Sequence, residues 1–261
     1  MGIRILCLLV LALLSAWPAA STGNKTGPDP RQLISDALTH WNGSTSRFVT
    51  NMRIHRPDWE RRVTMRIVTR DTTNSLVRVT YPPKEAGNAT LLVDGRMWTY
   101  TPRLNRVVRL PSSMMSQNWM GSDFSNNEIA RSSQLLEHYE LRLLRTESSD
   151  QHLVHVIAAI PFANAPVVWG KLELHLRDDH VLLEETFFDQ AGAPVKRLQS
   201  LETGVFDNRV ISTRQRMTSL EREDQWTEVE LTEGHYDVML DDATFTLSQL
   251  RNPSAGLEPG Q

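Results

Sequence analysis

Cysteine is all but missing from this chain. Cys7 is the only one among 261 residues, so no intramolecular disulfide and no cysteine-built metal site can form. It lies in an apolar leader after Arg4, Ile5 and Leu6, a context unlike a lipidation site, and the mature chain reads as unlipidated. Excess charge of one sign is missing too: 28 Lys and Arg stand against 31 Asp and Glu, a formal −3. That balance argues against nucleic acid and against general attraction to an anionic membrane. The one long apolar run, residues 5–14, is too short and too early for a spanning helix, which needs roughly 20 residues. Also absent are a glycine-rich phosphate loop, the G-x-S-x-G pattern of a hydrolase nucleophile, and any repeat with a period of about 20 to 50 residues.

The residue types suited to catalysis do not assemble. His152 and His155 lie three apart on an expected strand, which puts them on opposite faces instead of around one metal ion. The acid pairs Asp178-Asp179 and Asp241-Asp242 fall at turns or caps, and Glu184 and Glu185 point to opposite faces of a strand. Ser122, between Gly121 and Asp123, lacks the strand–elbow–helix context of a nucleophile. Its expected role is conformational, with a sharp turn at Gly121 and a cap from Ser122 or Asp123. No catalytic residue, metal ligand or cofactor is assigned.

What is present has a clear order. Residues 1–22 read as a cleaved secretory signal, with Arg4 ahead of the apolar core and small residues at Ala19, Ala20 and Ser21. Residues 23–28 form a polar tether, residues 29–251 one domain, and residues 252–261 a flexible tail. Asp29 and Pro30 open a helix carrying Leu33, Ala37, Leu38 and Trp41 at helical spacing, ended by Asn42 and Gly43. Such a lone amphipathic helix must pack on a sheet, as a plug or as a lid over a cavity. From Phe48 onward the pattern is alternation with period 2, repeated to His235 in about eleven strands joined by short turns. A meander that curls on itself is the economical architecture, and a secreted domain without disulfides must be held by its core. Ser125 and Glu128 form a capping box for a second helix, and Phe245, Leu247 and Leu250 are expected to dock a C-terminal segment.

One stretch, residues 91–124, departs from this regularity. Asp94 and Gly95 predict a tight hairpin between Leu92 and Trp98, and residues 102–105 predict a second turn. Past Pro111 the chain delivers Met114, Met115, Trp119, Met120 and Phe124 among Ser, Asn and Gly. That composition is poor for strand or helix and suits an adaptable cover over an apolar space. Trp98, Tyr100, Met114, Met115, Trp119, Met120 and Phe124, with Leu38 and Trp41 of the first helix, are therefore the candidate lining and lid of a hydrophobic cavity. The competing reading is that these side chains simply fill a barrel core.

The blocks DGRMWTYTPRLNRVVRLP and WMGSDFS, followed in order by APVVWGKLELHL, FFDQAGAPVKRL and ATFTLSQL, resemble the LolA-like family of outer-membrane lipoprotein-sorting proteins. The resemblance implies a mainly β fold: a half-open, strongly curved antiparallel β-barrel covered by short lid helices. It implies a monomeric, non-enzymatic periplasmic carrier that shields the acyl chains of lipoproteins or lipids between inner and outer membrane. Its implied partners are the acylated cargo, an inner-membrane ATP-driven release complex and an outer-membrane acceptor. Two alternatives stay open. One is a carrier of a non-lipoprotein lipid working with an inner-membrane RND-type exporter. The other is an envelope-stress sensor binding an anti-sigma factor; those sensors carry a further C-terminal domain, for which the strand pattern here leaves no room.

Overall fold

A computed structural model of the chain describes residues 27–130 and 134–251. The expected leader, most of the tether and the expected tail lie outside the described residues. The first helix, α1 (Pro30–Asn42), is followed by β1 (Thr45–Arg56), β2 (Trp59–Arg70), β3 (Asn74–Tyr81), β4 (Ala89–Val93), β5 (Arg96–Thr101) and β6 (Arg106–Arg109). Two short helices, α2 (Asn126–Ile129) and α3 (Gln134–His138), lead into β7 (Tyr139–Ser149), β8 (His152–Pro161), β9 (Lys171–Arg177) and β10 (Leu182–Phe188). Then come β11 (Pro194–Phe206), β12 (Arg209–Ser219), β13 (Trp226–Tyr236) and a last helix, α4 (Leu247–Arg251).

All thirteen strands belong to one antiparallel sheet. That is somewhat more than the expected count of about eleven. Every strand pairs with its sequence neighbour except at one place, and β1 pairs with β13. The chain therefore leaves from the middle of the sheet, runs out to β6, crosses to the far edge at β7 and returns. Register shifts in β1–β13, β10–β11, β11–β12 and β7–β8 mark irregularities of the kind that bend a sheet. The sheet stays open: β6 and β7 are its two edges.

Local chemistry explains the joints. Asp94 (φ 48°) and Gly95 (φ 72°) both sit in the left-handed region, as the tight β4–β5 hairpin requires. Asp29 caps α1 through the Arg31 amide, and Gly43 ends it at φ 63°, where a side chain would run into the Tyr236 ring. On the concave face, Ile34, Leu33, Ala37 and Leu38 of α1 pack on Leu135, Tyr139, Ile157 and the leucines of β9. Of the four, Ile34 is the one fully buried, which stabilises by roughly 1.5–3 kcal/mol. Arg31 donates to Leu136 O at 2.7 Å, His40 Nε2 to Val210 O at 2.8 Å and Tyr236 to Trp41 O at 3.0 Å, so both ends of the helix are tied down.

Part of the convex face is covered as well. Val68, Leu76, Leu91 and Tyr100 point away from the concave side and are buried under Leu240, Phe245 and Leu250. Buried Arg78 anchors that segment, donating to Leu250 O, Gln249 O and Gly87 O. Burial holds its guanidinium below the ordinary arginine value, with the Tyr100 phenol acting the other way. Leu247, expected to dock with Phe245 and Leu250, is 47 % exposed. α4 is five residues long and meets the sheet through Leu250, which leaves its first position outside.

Candidate functional site

The irregular stretch becomes a strap across the concave face. Trp119 is buried with Met52, Val63, Met65, Val77 and Val79 of β1, β2 and β3, and its indole donates to Thr90 Oγ1 at 3.2 Å. Around it the chain folds into a tight loop: the Trp119 amide donates to Phe124 O at 2.7 Å, and Met120 (φ 53°) and Gly121 (φ 74°) make the reversal. Ser122 is fully buried and closes this loop, its hydroxyl donating to Trp119 O at 2.7 Å and accepting from the Phe124 amide. Neither Ser122 nor Asp123 caps the helix that follows; that role belongs to Ser125, in a complete capping box with Glu128.

Polar groups from four strands and from Trp169 hold the strap down. The Arg56 guanidinium, at the end of β1, grips the Asp123 carboxylate through two bonds of 3.0 and 3.1 Å. Thr227 of β13 donates to the same carboxylate at 2.6 Å. Lys196 of β11 reaches Asp123 O at 2.9 Å and Glu128 Oε2 at 2.6 Å, while the Trp169 indole donates to Glu128 Oε1 at 3.0 Å. Arg61 of β2 donates to Met120 O at 2.7 Å and pairs with Glu85. These pairs are largely shielded from water, where a charge-assisted bond is strong and an unpaired charge costly.

Beneath strap and helix lies a cavity of about 370 Å³. Volumes of roughly 300–1,000 Å³ with mainly apolar walls are typical of small-molecule sites. Its wall is built from α1, from inward side chains such as Met65, Val77, Leu174 and Leu198, and from Trp119 and Phe124 of the strap. A few polar groups interrupt it. Glu185 is 1 % exposed, Gln215 faces the same space, and the fully buried Thr50 hydroxyl has no hydrogen-bond partner. At the α1 end, the His40 and His180 rings stand 5.6 Å apart beside the cavity.

Of the nine residues singled out from sequence, Leu38, Trp41, Trp119 and Phe124 line this cavity and the other five do not. Trp98 and Tyr100 lie on the convex side under the C-terminal segment. Met115 packs with Leu92, Met97 and Ala130, Met120 packs against the Trp119 cluster, and Met114 is exposed. Alternation decides the matter for β4 and β5: Leu92 and Met97 turn inward, so Leu91 and Trp98 turn outward. The floor residues Met65, Leu174, Leu198, Gln215 and Glu185 were missed. The readable signal was a carboxylate, Glu185, sharing the inward period of a strand with Phe187. Among the histidines, His155 is buried against Thr146, and His152 pairs with Asp178 at the surface.

A protein-family model described as that of an uncharacterized protein matches residues 71–252. No curated protein sequence is similar to the chain. Among solved structures, an outer membrane lipoprotein-sorting protein domain from Vibrio parahaemolyticus superposes with TM-score 0.76 at 20 % identity, over 85 % of this chain and 98 % of that one. A DUF1329 family protein from Desulfovibrio piger gives 0.76 at 22 % identity, over 85 % and 100 %. A LolA superfamily protein from Nitrosomonas europaea gives 0.70 at 20 % identity, also over 85 % and 100 %. At these identities the likeness is one of fold: the open, curved antiparallel sheet with few helices.

Proposed function

The chain belongs to the family matched over residues 71–252 and has the fold of the LolA-like proteins, and from that premise we propose that it is a periplasmic carrier of acyl chains. The observation that supports this reading best is the mainly apolar cavity between the sheet, α1 and the strap. Shielding a sixteen-carbon chain completely would gain up to ~12 kcal/mol. A carrier that kept all of it could not release its cargo. The polar groups Thr50, Gln215 and Glu185 among the apolar wall leave part of that gain unrealised, which suits a compartment that must empty again. The strap is the part that moves: short irregular turns hold it together, and side-chain bonds rather than a strand ladder fix it to the sheet.

The carrier works without covalent chemistry. Its cargo is an acylated lipoprotein, loaded by an inner-membrane ATP-driven complex and passed to an outer-membrane acceptor. A second reading, a free lipid supplied by an RND-type exporter, draws support from the unpartnered Thr50 hydroxyl, which favours cargo with a hydrogen-bonding group in the buried part. The test is displacement of a fluorescent fatty acid, comparing the mature protein with Leu198→Trp, which fills the cavity. Saturable binding that the variant loses while keeping its fold supports the carrier. A protein that takes up no acyl probe refutes it.

A further inference from the structure

Charge that balances over the whole chain is segregated locally. Residues 95–122 contain no Asp or Glu, in a chain with 31 acidic residues among 261. The same stretch carries Arg96, Arg103, Arg106 and Arg109, all exposed, on and beside the hairpin of β5 and β6 at the free edge of the sheet. Arg96 has only Asp94, 3.9 Å away. Arg103, Arg106 and Arg109 make no ion pair or side-chain hydrogen bond among the described residues. Elsewhere on the sheet arginines do find carboxylates, as in Arg53–Glu228, Arg177–Asp179 and Arg214–Glu202. An apolar group crowns the basic hairpin. Leu104, in the turn before Asn105, is 71 % exposed, and Val108 on β6 is partly exposed as well.

We propose that the β5–β6 hairpin docks the protein on an anionic phospholipid bilayer, with the arginines on lipid phosphates and Leu104 entering the interface. An acidic protein surface would satisfy the arginines but would need a pocket for Leu104. A bilayer accepts a protruding leucine anywhere, and basic residues around an apolar tip are the pattern of interfacial binding. Each arginine near an anionic surface strengthens partition roughly fivefold, so three without internal partners give useful yet reversible attachment. The position fits as well: the chain passes from β6 straight into the strap, so docking would bring the cavity's cover to the membrane. That purpose rests on the carrier reading, while the docking itself is measured separately. Arginines on an edge strand also hinder edge-to-edge pairing, and that role alone predicts no lipid binding.

Flotation of the mature protein with vesicles decides between them. Phosphatidylcholine vesicles containing phosphatidylglycerol are compared with pure phosphatidylcholine vesicles, in low salt and in about 1 M salt, where the Debye length is near 3 Å. Melting temperature and acyl-probe binding are followed in the same samples, so a folding defect or failure of the carrier reading shows separately. Expected is co-flotation with the anionic vesicles only, abolished by high salt, reduced at least tenfold in Arg103→Glu/Arg106→Glu and several-fold in Leu104→Ser. No co-flotation, equal flotation with both vesicle types, or variants that float like the parent would each overturn the proposal. So would capture of an acidic protein by a hairpin that ignores vesicles.

Discussion

Tyr236 shows how much can hang on one hydroxyl. Its ring packs edge-on against Phe48, and its phenol donates to the last turn of α1 at Trp41 O. Burial pushes that phenol up to about 12, with Arg209 opposing and Asp207 adding to the shift. The ordinary value is about 10, so the fold favours the neutral form; its contribution is intact below pH ~10 and is lost as pH rises toward ~12. At about 1.4 kcal/mol per unit, roughly 2–3 kcal/mol is at stake. Urea midpoints at pH ~8 and ~11 should diverge in the parent and much less in Tyr236→Phe. The variant itself should lose only about 1 kcal/mol at neutral pH, the net worth of the bond. Within the cavity, Thr50→Val removes an unpartnered buried hydroxyl and should leave the empty protein as stable or more so. Relative affinity for a hydroxylated against a plain fatty acid should then fall, as read by competition with the fluorescent probe.

At the scale of elements, strap and C-terminal segment are both held by side chains remote in sequence. Lys196→Met removes the ammonium from the Glu128 carboxylate, whose side chain is 3 % exposed and keeps the Trp169 indole and the Ser125 amide as donors, and should cost about 1–3 kcal/mol of strap stability. Hydrogen exchange at residues 111–130 should rise while β8 and β9 stay protected; unchanged exchange would mean the latch is not what holds the strap. Arg78→Ala should unseat α4 and cost about 1–3 kcal/mol, by leaving the carbonyls of Gln249 and Leu250 unanswered. These attachments also mark where the sequence could be read. The cap at Asp29, the stop at Gly43, the Asp94-Gly95 turn and the Ser125–Glu128 box are local, and each stood in the pattern of a few residues. The face on which Trp98 lies was not local: Met97 and Trp98 are both apolar, and only the covering segment around residues 240–250 makes the outward side dry. Likewise Trp119 and Phe124 were legible as cavity residues because no regular element could absorb them. Met114 and Met115 looked the same in sequence, yet Met115 joined a small core with Leu92 and Met97, and Met114 stayed outside.

For the whole molecule, the decisive feature is that the sheet does not close. A meander whose first and last strands pair could have joined β6 to β7 as a sealed barrel with a filled core. Instead the two edges stay apart, and the concave side is occupied by a helix, a strap and a cavity. Such a body can open without breaking its strand ladders, which is what the proposed loading and unloading of an acyl chain demands. The most direct measurement is native mass spectrometry, with lipid extraction, on the protein isolated from the cells that make it. The account predicts a bound species carrying one or more acyl chains, released when the strap latch is broken by Lys196→Met. A protein that emerges without cargo and also refuses a fluorescent fatty acid would contradict it.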